Sequence, residues 1–172
     1  AYLIRKIDFI LKEIDKIDMF NWFRISKKTK AKLINFYLPL WGANIKISDC
    51  NEDLNWFQVQ LTLNRWNKNI MGTHFGGSLY AMCDPFYMWI LMENLGKDFI
   101  VWDKAATIHF KKPGTGTVTA EFEISKEIIE NIRKEVIEKG KNDYFFSTVV
   151  KNEKGQVIAE VDKTVYVRYK KK

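Results

Sequence analysis

The chain has 172 residues, of which 47% are hydrophobic and 15% are aromatic. This length fits one domain with a sizeable core, and the composition excludes an intrinsically disordered chain. The formal net charge of +7 favours anionic partners, but charge alone does not choose between nucleic acid, a membrane surface and a phosphorylated small molecule.

Cysteine and histidine usage argues against a disulfide framework and against a zinc site. Cys50 and Cys83 have no C-x-x-C spacing, and His74 and His109 belong to no Cys/His cluster. We therefore expect no metal, no redox cofactor and a reducing cytoplasmic location.

No segment has the pattern of a leader or of a membrane span. Charges interrupt residues 1–16 every few positions, which is not typical of a signal peptide. The apolar run Leu79–Met92 is shorter than the roughly 20 residues that a spanning helix needs, and it contains Asp84 and Pro85.

The first predicted elements are helices. Apolar residues recur at helical spacing from Ile4 to Ile14 between charged ones, which predicts an amphipathic helix. A second short helix is predicted over residues 29–38, with Pro39 ending it. The predicted organisation is an N-terminal helical extension over residues 1–40 and a single domain over 41–172.

Alternation of apolar and polar residues predicts the strands, which a long apolar helix and a helical insertion over Ser125–Lys139 interrupt. Ser125 is the predicted N-cap of that insertion, and Asn152–Gly155 is predicted as a hairpin turn. Because a helix that is apolar on almost every face must be enclosed, the predicted fold is α+β: a curved antiparallel sheet wrapped around one long central helix, which is the hotdog architecture. The predicted strands are 45–48, 56–63, 99–110, 118–124, 144–150 and 157–169.

The segment NIMGTHFGGSLYAMCDPFYMWILMENLG, residues Asn69–Gly96, combines two features that indicate a site. The pair Gly76-Gly77 weakens regular structure unless the backbone must pass close to something. Asp84 lies in an apolar run, where a carboxylate is costly unless it is paired or hydrogen-bonded.

Each of these features also has a structural interpretation. With Pro85 at the first position of a helix, Asp84 would be its N-cap. If one helix instead runs through the whole segment, Pro85 leaves the carbonyl of Ala81 unpaired and kinks the helix near Asp84. The glycine pair is also typical of a turn, and Asn69 of a turn residue.

The motif resembles a known signature. Asn69–Asp84, with Gly72, the pair Gly76-Gly77 and an acid about two turns later, resembles hotdog thioesterases of the phenylacetate-pathway type. The segments HFGGSLYAMCDPFYM, VWDKAATIHFKKPGTG and AEVDKTVYVRY are similar to a less characterised hotdog branch regarded as thioesterases. The resemblance runs from about Leu33 to Tyr169. It implies an acyl-CoA thioesterase that works as a homodimer, with tetramers left open, and in which coenzyme A is part of the substrate rather than a cofactor.

The resemblance also implies roles for single residues. Gly77 would supply the N–H that polarises the thioester carbonyl, and Asp84 would activate water or attack the carbonyl itself. Asn69 would orient the water or the acyl carbonyl. One departure is that Phe75 holds the place of the family's histidine. The residues expected to bind substrate are His74, Phe75, Gly76, Ser78, Lys111 and Lys112.

Basic residues near the motif in sequence are candidates for the phosphates of coenzyme A. Arg65, Lys68, Lys111 and Lys112 flank it, although a solvated cationic surface is the alternative interpretation. Asp103 and Lys104 interrupt an apolar strand and are predicted to form an ion pair at a dimer seam, with a substrate contact as the alternative.

Two other functions are open. A non-catalytic module that binds an acyl ligand would keep the pocket and the dimer, while Asp84 would only cap a helix. His74-Phe75-Gly76 resembles part of the motif of hotdog dehydratases, although Asp84 follows it too closely to serve as their acid. The basic run over residues 27–32 has no recognition motif beside it, so we expect no nucleic-acid partner.

Overall fold

The computed structural model describes residues 25–170, so the helix predicted over Ile4–Ile14 lies outside the described residues. The described part forms a six-stranded sheet in which all neighbouring strands are antiparallel. The six predicted strands are confirmed, with ends that differ by a few residues. They are β1 (Ile45–Cys50), β2 (Trp56–Thr62), β3 (Phe99–Phe110), β4 (Thr117–Glu123), β5 (Lys141–Asn152) and β6 (Val157–Tyr169).

The strand order is β1-β2-β4-β5-β6-β3, which leaves β1 and β3 at the two edges of the sheet. β5 and β6 form the predicted hairpin, and its Gly155 has a φ of 75°, a value that glycine adopts more readily than other residues. Because β3 is an edge strand, it pairs only with β6 among the described residues.

The central helix is broken in two: α3 (Gly76–Ala81) and α4 (Phe86–Leu95). The prediction of one long central helix is therefore confirmed only in part: both halves are helical, but residues 82–85 interrupt them. The break has a local cause, because Pro85 has no N–H to continue the helical ladder and disfavours helical geometry at Asp84. The carbonyl of Ala81 is not left unpaired, since it accepts the N–H of Asp84 at 3.4 Å.

The sheet packs around α4 through aromatic rings. Phe86 is fully buried, with its ring centroid 5.7 Å from that of Phe57 on β2 and 4.9 Å from that of Phe122 on β4. Ile90 and Leu91 are also fully buried. Much of the core therefore lies between the sheet and this helix, as the hotdog prediction requires.

Two short helices replace the single helix predicted over residues 29–38: α1 (Lys27–Ile34) and α2 (Leu38–Gly42). Pro39 lies in the first turn of α2, so it begins a helix rather than ending one. Asn35 ties this region to β1 by exchanging two hydrogen bonds with the backbone of Ile47. The domain division at residue 40 stays a prediction.

The helical insertion is confirmed as α5 (Lys126–Lys139). Its N-cap is Ser125, as predicted, and the Ser125 hydroxyl accepts the N–H of Ile128. Arg133 joins α5 to the end of α4 by donating to the carbonyls of Asn94 and Leu95. No helix in the described part of the chain is long and apolar enough to cross a bilayer.

A β-bulge changes the phase of the edge strand β3. Asp103 pairs with Val165 on β6, whereas Ala105 pairs with Thr164, so Lys104 is the extra residue. Asp103, which precedes the bulge, is in phase with Phe99 and Val101 and shares the buried face of β6, whereas Lys104 is exposed. Bulges of this kind redirect side chains at sheet edges.

Candidate functional site

The carboxylate of Asp84 lies at the break between α3 and α4. One oxygen, Oδ1, accepts the Tyr80 hydroxyl at 2.6 Å and the Lys163 ammonium at 2.9 Å. The Asp84 side chain is 46% exposed, so it is not the buried group that its apolar neighbours suggest. It does not cap α4 either, because the N-cap position belongs to Pro85 and no side chain caps it.

Lys163 connects Asp84 to the sheet. Its side chain is 0% exposed on β6, and its ammonium is 2.9 Å from Asp84 and 3.3 Å from Asp103. Burial alone would lower the pKa of Lys163, but the hydrogen bond to Asp84 and the two carboxylate charges outweigh burial and raise the pKa. Lys163 is therefore a charged group that is sealed beneath the site.

Asp103 joins this cluster from the edge strand, directly before the bulge. Burial raises the pKa of Asp103 to about 6, against the lowering effect of the Lys163 charge. Its Oδ1 forms an ion pair with Lys163 at 3.3 Å but has no hydrogen bond within residues 25–170. The predicted pair of Asp103 with Lys104 is wrong, because Lys104 binds Asp143 instead.

The glycine pair begins α3 beneath two phenylalanine rings. A Cβ atom on Gly76 would lie 3.0 Å from the ring of Phe110, and one on Gly77 would overlap the ring of Phe75. Both rings are more than half exposed. A side chain at either position would press against one of these rings. Glycine therefore allows the backbone at the start of α3 to lie close to the rings and to the surface.

Asn69 organises the loop that leads into α3. Its Oδ1 accepts the N–H groups of Met71 and Thr73, and its Nδ2 donates to the Thr73 hydroxyl and the His74 carbonyl. These bonds account for its donors and for its acceptor, so Asn69 acts as a turn residue here. Its proposed contact with water or substrate stays a prediction.

His74 points into the protein. It is 3% exposed, and its Nε2 lies 3.1 Å from the carbonyl of Gly116, which identifies Nε2 as the protonated nitrogen. Burial lowers the pKa of His74, partly offset by that hydrogen bond. Its Nδ1 is buried and has no hydrogen-bond partner among residues 25–170. The imidazole thus fastens the motif loop to the turn before β4.

The other residues expected to bind substrate lie around α3. Ser78 is the third residue of α3, and with Phe75 it lines a cavity of about 290 Å³ that also includes Trp66 and Lys68. Lys111 forms an exposed ion pair with Glu160. Lys112 is exposed.

Three residues of the site escaped the sequence analysis in this role: Tyr80, Asp103 and Lys163. Each of them has a signal in the sequence. Tyr80 precedes Asp84 by four residues, which is one turn of a helix. Lys163 is in phase with Val161 and Val165 on an amphipathic strand, so it lies on the apolar face. Asp103 is likewise in phase with Phe99 and Val101, ahead of the bulge.

Solved structures share this fold. A protein of unknown function from Pseudomonas aeruginosa, named a probable thioesterase, matches with a TM-score of 0.67 and 17% identity over 89% of this chain and 97% of that chain. A Haemophilus influenzae thioesterase matches with a TM-score of 0.61 and 15% identity over 83% of this chain and 92% of that chain.

The E. coli PaaI protein, from the phenylacetic acid degradation operon, matches with a TM-score of 0.58 and 15% identity over 82% of this chain and 91% of that chain. These proteins are thioesterase-like hotdog proteins, and at these identities the likeness establishes the fold alone. The α+β hotdog outline is thereby confirmed.

No curated protein matches the sequence. A family model described as Domain of unknown function (DUF4442) matches residues 27–167. This span includes the glycine pair and the cluster of Tyr80, Asp84, Asp103 and Lys163, and it covers most of the chain. The chain therefore belongs to the DUF4442 family.

Proposed function

We propose that this protein hydrolyses the thioester of an acyl-CoA and that Asp84 directs the water. The observation that carries the proposal is the Asp84 carboxylate, which is 46% exposed, is fixed by Lys163 and Tyr80, and lies two turns after the glycine pair. The shared fold with proteins that are named thioesterases supports the same assignment.

The chemistry needs a base and an oxyanion site. Asp84 takes a proton from water as the water oxygen bonds to the thioester carbon. The carbonyl oxygen then carries negative charge, which the N–H of Gly77 stabilises at the start of α3, where no helical carbonyl accepts it. When the C–S bond breaks, the departing thiolate receives the proton from Asp84. In a second form of this mechanism, Asp84 attacks the carbonyl carbon and the C–S bond breaks to release the thiolate. Water then hydrolyses the resulting anhydride, which frees Asp84 and supplies the proton that the thiolate takes up. Neither form uses a metal or a redox cofactor.

The surface around α3 suits a thioester of coenzyme A. Phe75 and Trp66 provide apolar contact beside the glycine pair, and Ser78 adds a hydroxyl in the same cavity. Lys68 and Lys112 are exposed cations that can bind phosphate, and Lys111 would have to exchange Glu160 for it. We propose that Gly76 and His74 shape the entrance to this cavity. His74 does so indirectly, by holding the loop that leads into α3.

The free edge of β3 supports the proposed homodimer. Residues 105–107 are small and exposed on a long strand whose one partner within residues 25–170 is β6. Such an edge is a template for pairing with a second strand. Asp103 lies on this edge, so a partner subunit would join close to Asp84.

A non-catalytic acyl-binding protein is the second candidate. The observation in its favour is that Lys163 and Tyr80 already satisfy one oxygen of Asp84, which is also what a purely structural carboxylate requires. The dehydratase alternative loses support, because the imidazole of His74 is sealed against Gly116.

The test is thiol release from a panel of short, long and aromatic acyl-CoAs by wild type and Asp84→Asn. A non-hydrolysable thioether analogue measures binding in parallel. Hydrolysis should fall by about 10² to 10⁴-fold in Asp84→Asn while analogue binding persists. Analogue binding without any hydrolysis by the folded wild type would favour the non-catalytic candidate instead.

A further inference from the structure

We propose that Lys163 is a positioning residue, which together with Tyr80 holds Oδ1 of Asp84 and leaves Oδ2 as the oxygen that meets the substrate. This inference rests on the proposed function and names the residue that prepares Asp84 for it. Within residues 25–170, Oδ1 has two donors, at 2.6 and 2.9 Å, and no hydrogen bond reaches Oδ2. The two oxygens of one carboxylate are thus already different before substrate arrives.

Burial of the Lys163 ammonium is unfavourable in free energy. Lys163 occupies an inward position on β6 between Val161 and Val165, both fully buried. Transferring an ammonium from water to such a position costs several kcal/mol, and replacement of buried ion pairs by apolar residues is often neutral or stabilising. Stability therefore does not account for a charge at this position, whereas control of Asp84 does.

Three side chains hold the Lys163 ammonium in place. Asp84 comes from the helix break, Asp103 lies 3.3 Å away on β3, and the ring of Tyr80 on α3 lies 5.4 Å from the ammonium. With contacts from the sheet edge, from α3 and from the helix break, the ammonium has little freedom to move. A fixed ammonium fixes the carboxylate that it binds.

Lys163 and Asp84 differ in their exposure to solvent. Lys163 is 0% exposed and Asp84 is 46% exposed. Lys163 therefore cannot reach a substrate that approaches from solvent and must act through Asp84. Asp103, whose carboxylate is 21% exposed, is the second carboxylate partner of the ammonium, at 3.3 Å from the edge strand.

The experiment compares wild type, Lys163→Met and the control Lys126→Met. Methionine keeps the length of the side chain and removes the charge, and Lys126 is an exposed lysine at the start of α5 that pairs with Asp53. Crystal structures of wild type and Lys163→Met show where the Asp84 carboxylate lies, urea denaturation measures stability, and steady-state kinetics with an acyl-CoA separate kcat from KM.

In Lys163→Met, we expect the Asp84 carboxylate to leave its wild-type orientation and kcat to fall by about tenfold to a hundredfold, with KM changed far less. Lys126→Met should match wild type in stability and in kcat. If Lys163→Met is too unstable to study, Asp103→Asn, which removes the second anchor of the ammonium, should show a smaller change in the same direction.

The inference is overturned if the Asp84 carboxylate stays in place without Lys163. It is also overturned if the carboxylate moves, Asp84→Asn is inactive and Lys163→Met keeps the wild-type kcat. A wild type that hydrolyses no acyl-CoA would refute the proposed function, and the crystal structures would still decide whether Lys163 positions Asp84.

Discussion

Asp84 carries the functional proposal because its surroundings join a solvent-exposed carboxylate to a buried cation. The carboxylate is available to a ligand, while Lys163 and Tyr80 restrict its orientation. A positioned base contributes more to catalysis than a mobile one, since the reacting atoms must meet at close range. The sequence alone marks Asp84 as unusual, because it lies in an apolar run, but its partner Lys163 follows 79 positions later and no local pattern links the two.

His74 gives a prediction at the same scale. Burial lowers its pKa from the ordinary value of 6.5, so as the pH falls below 6.5 the unfolded chain takes up this proton before the folded protein does. The contribution of His74 to stability is thus complete above pH 6.5 and is lost below it.

Urea denaturation of wild type and His74→Gln at about pH 7.5 and about pH 5 measures this contribution. Lowering the pH should reduce the unfolding free energy of wild type more than that of His74→Gln. A difference that is the same at both pH values would show that His74 does not titrate between them.

At the scale of elements, the break between α3 and α4 explains why the site differs from the sequence prediction. The apolar pattern from Leu79 to Met92 is continuous, which favours one helix, but Pro85 divides it and turns Asp84 toward β6. The strands were predictable because alternation follows directly from packing on one face. The bulge in β3 was not predictable, because it depends on the pairing with β6 rather than on the residues of β3 alone.

The start of α3 gives a prediction about Gly77. A Cβ atom there would overlap the ring of Phe75, and this exposed ring can move without disturbing the core. We therefore expect Gly77→Ala to fold with nearly unchanged stability, to displace Phe75 and to hydrolyse acyl-CoA poorly, because a methyl group and a moved ring obstruct the N–H. The measurements are thermal unfolding and thiol release.

Gly42→Ala is the control for stability, since a Cβ atom at Gly42 meets nothing within 4 Å. Because Gly42 lines the cavity beside Phe75, this variant controls for folding and not for activity, and it should keep the stability of wild type. Full activity in Gly77→Ala would show that close approach to this backbone position is not needed.

At the scale of the whole molecule, the two edges of the sheet have different surroundings. β1 packs beside α1 and α2, whereas the outer edge of β3 pairs with no strand among the described residues. The proposed dimer joins two β3 edges and brings two Asp84 sites close to the same seam. The resemblance found in the sequence implied a dimer, but one chain cannot identify the surface, because pairing at an edge depends on backbone groups rather than on side-chain types.

We therefore expect a mass of about twice the 20.3 kDa of the chain in light scattering. Hydrogen exchange should report protection of the amides over residues 103–110 at high protein concentration, and this protection should decrease on dilution. A monomer at all concentrations, or exchange in β3 that does not depend on concentration, would contradict pairing through this edge.

The most direct test of the account is the ratio of kcat for Asp84→Asn to kcat for wild type on the best acyl-CoA of the panel. Asp98→Asn, which changes an exposed aspartate away from the cluster, is the control for the loss of one carboxylate. We expect thiol release by Asp84→Asn to be about 10² to 10⁴-fold slower than that by wild type. Asp98→Asn should match wild type. If folded Asp84→Asn releases thiol as fast as wild type, Asp84 does not direct the hydrolysis and the proposed mechanism is wrong.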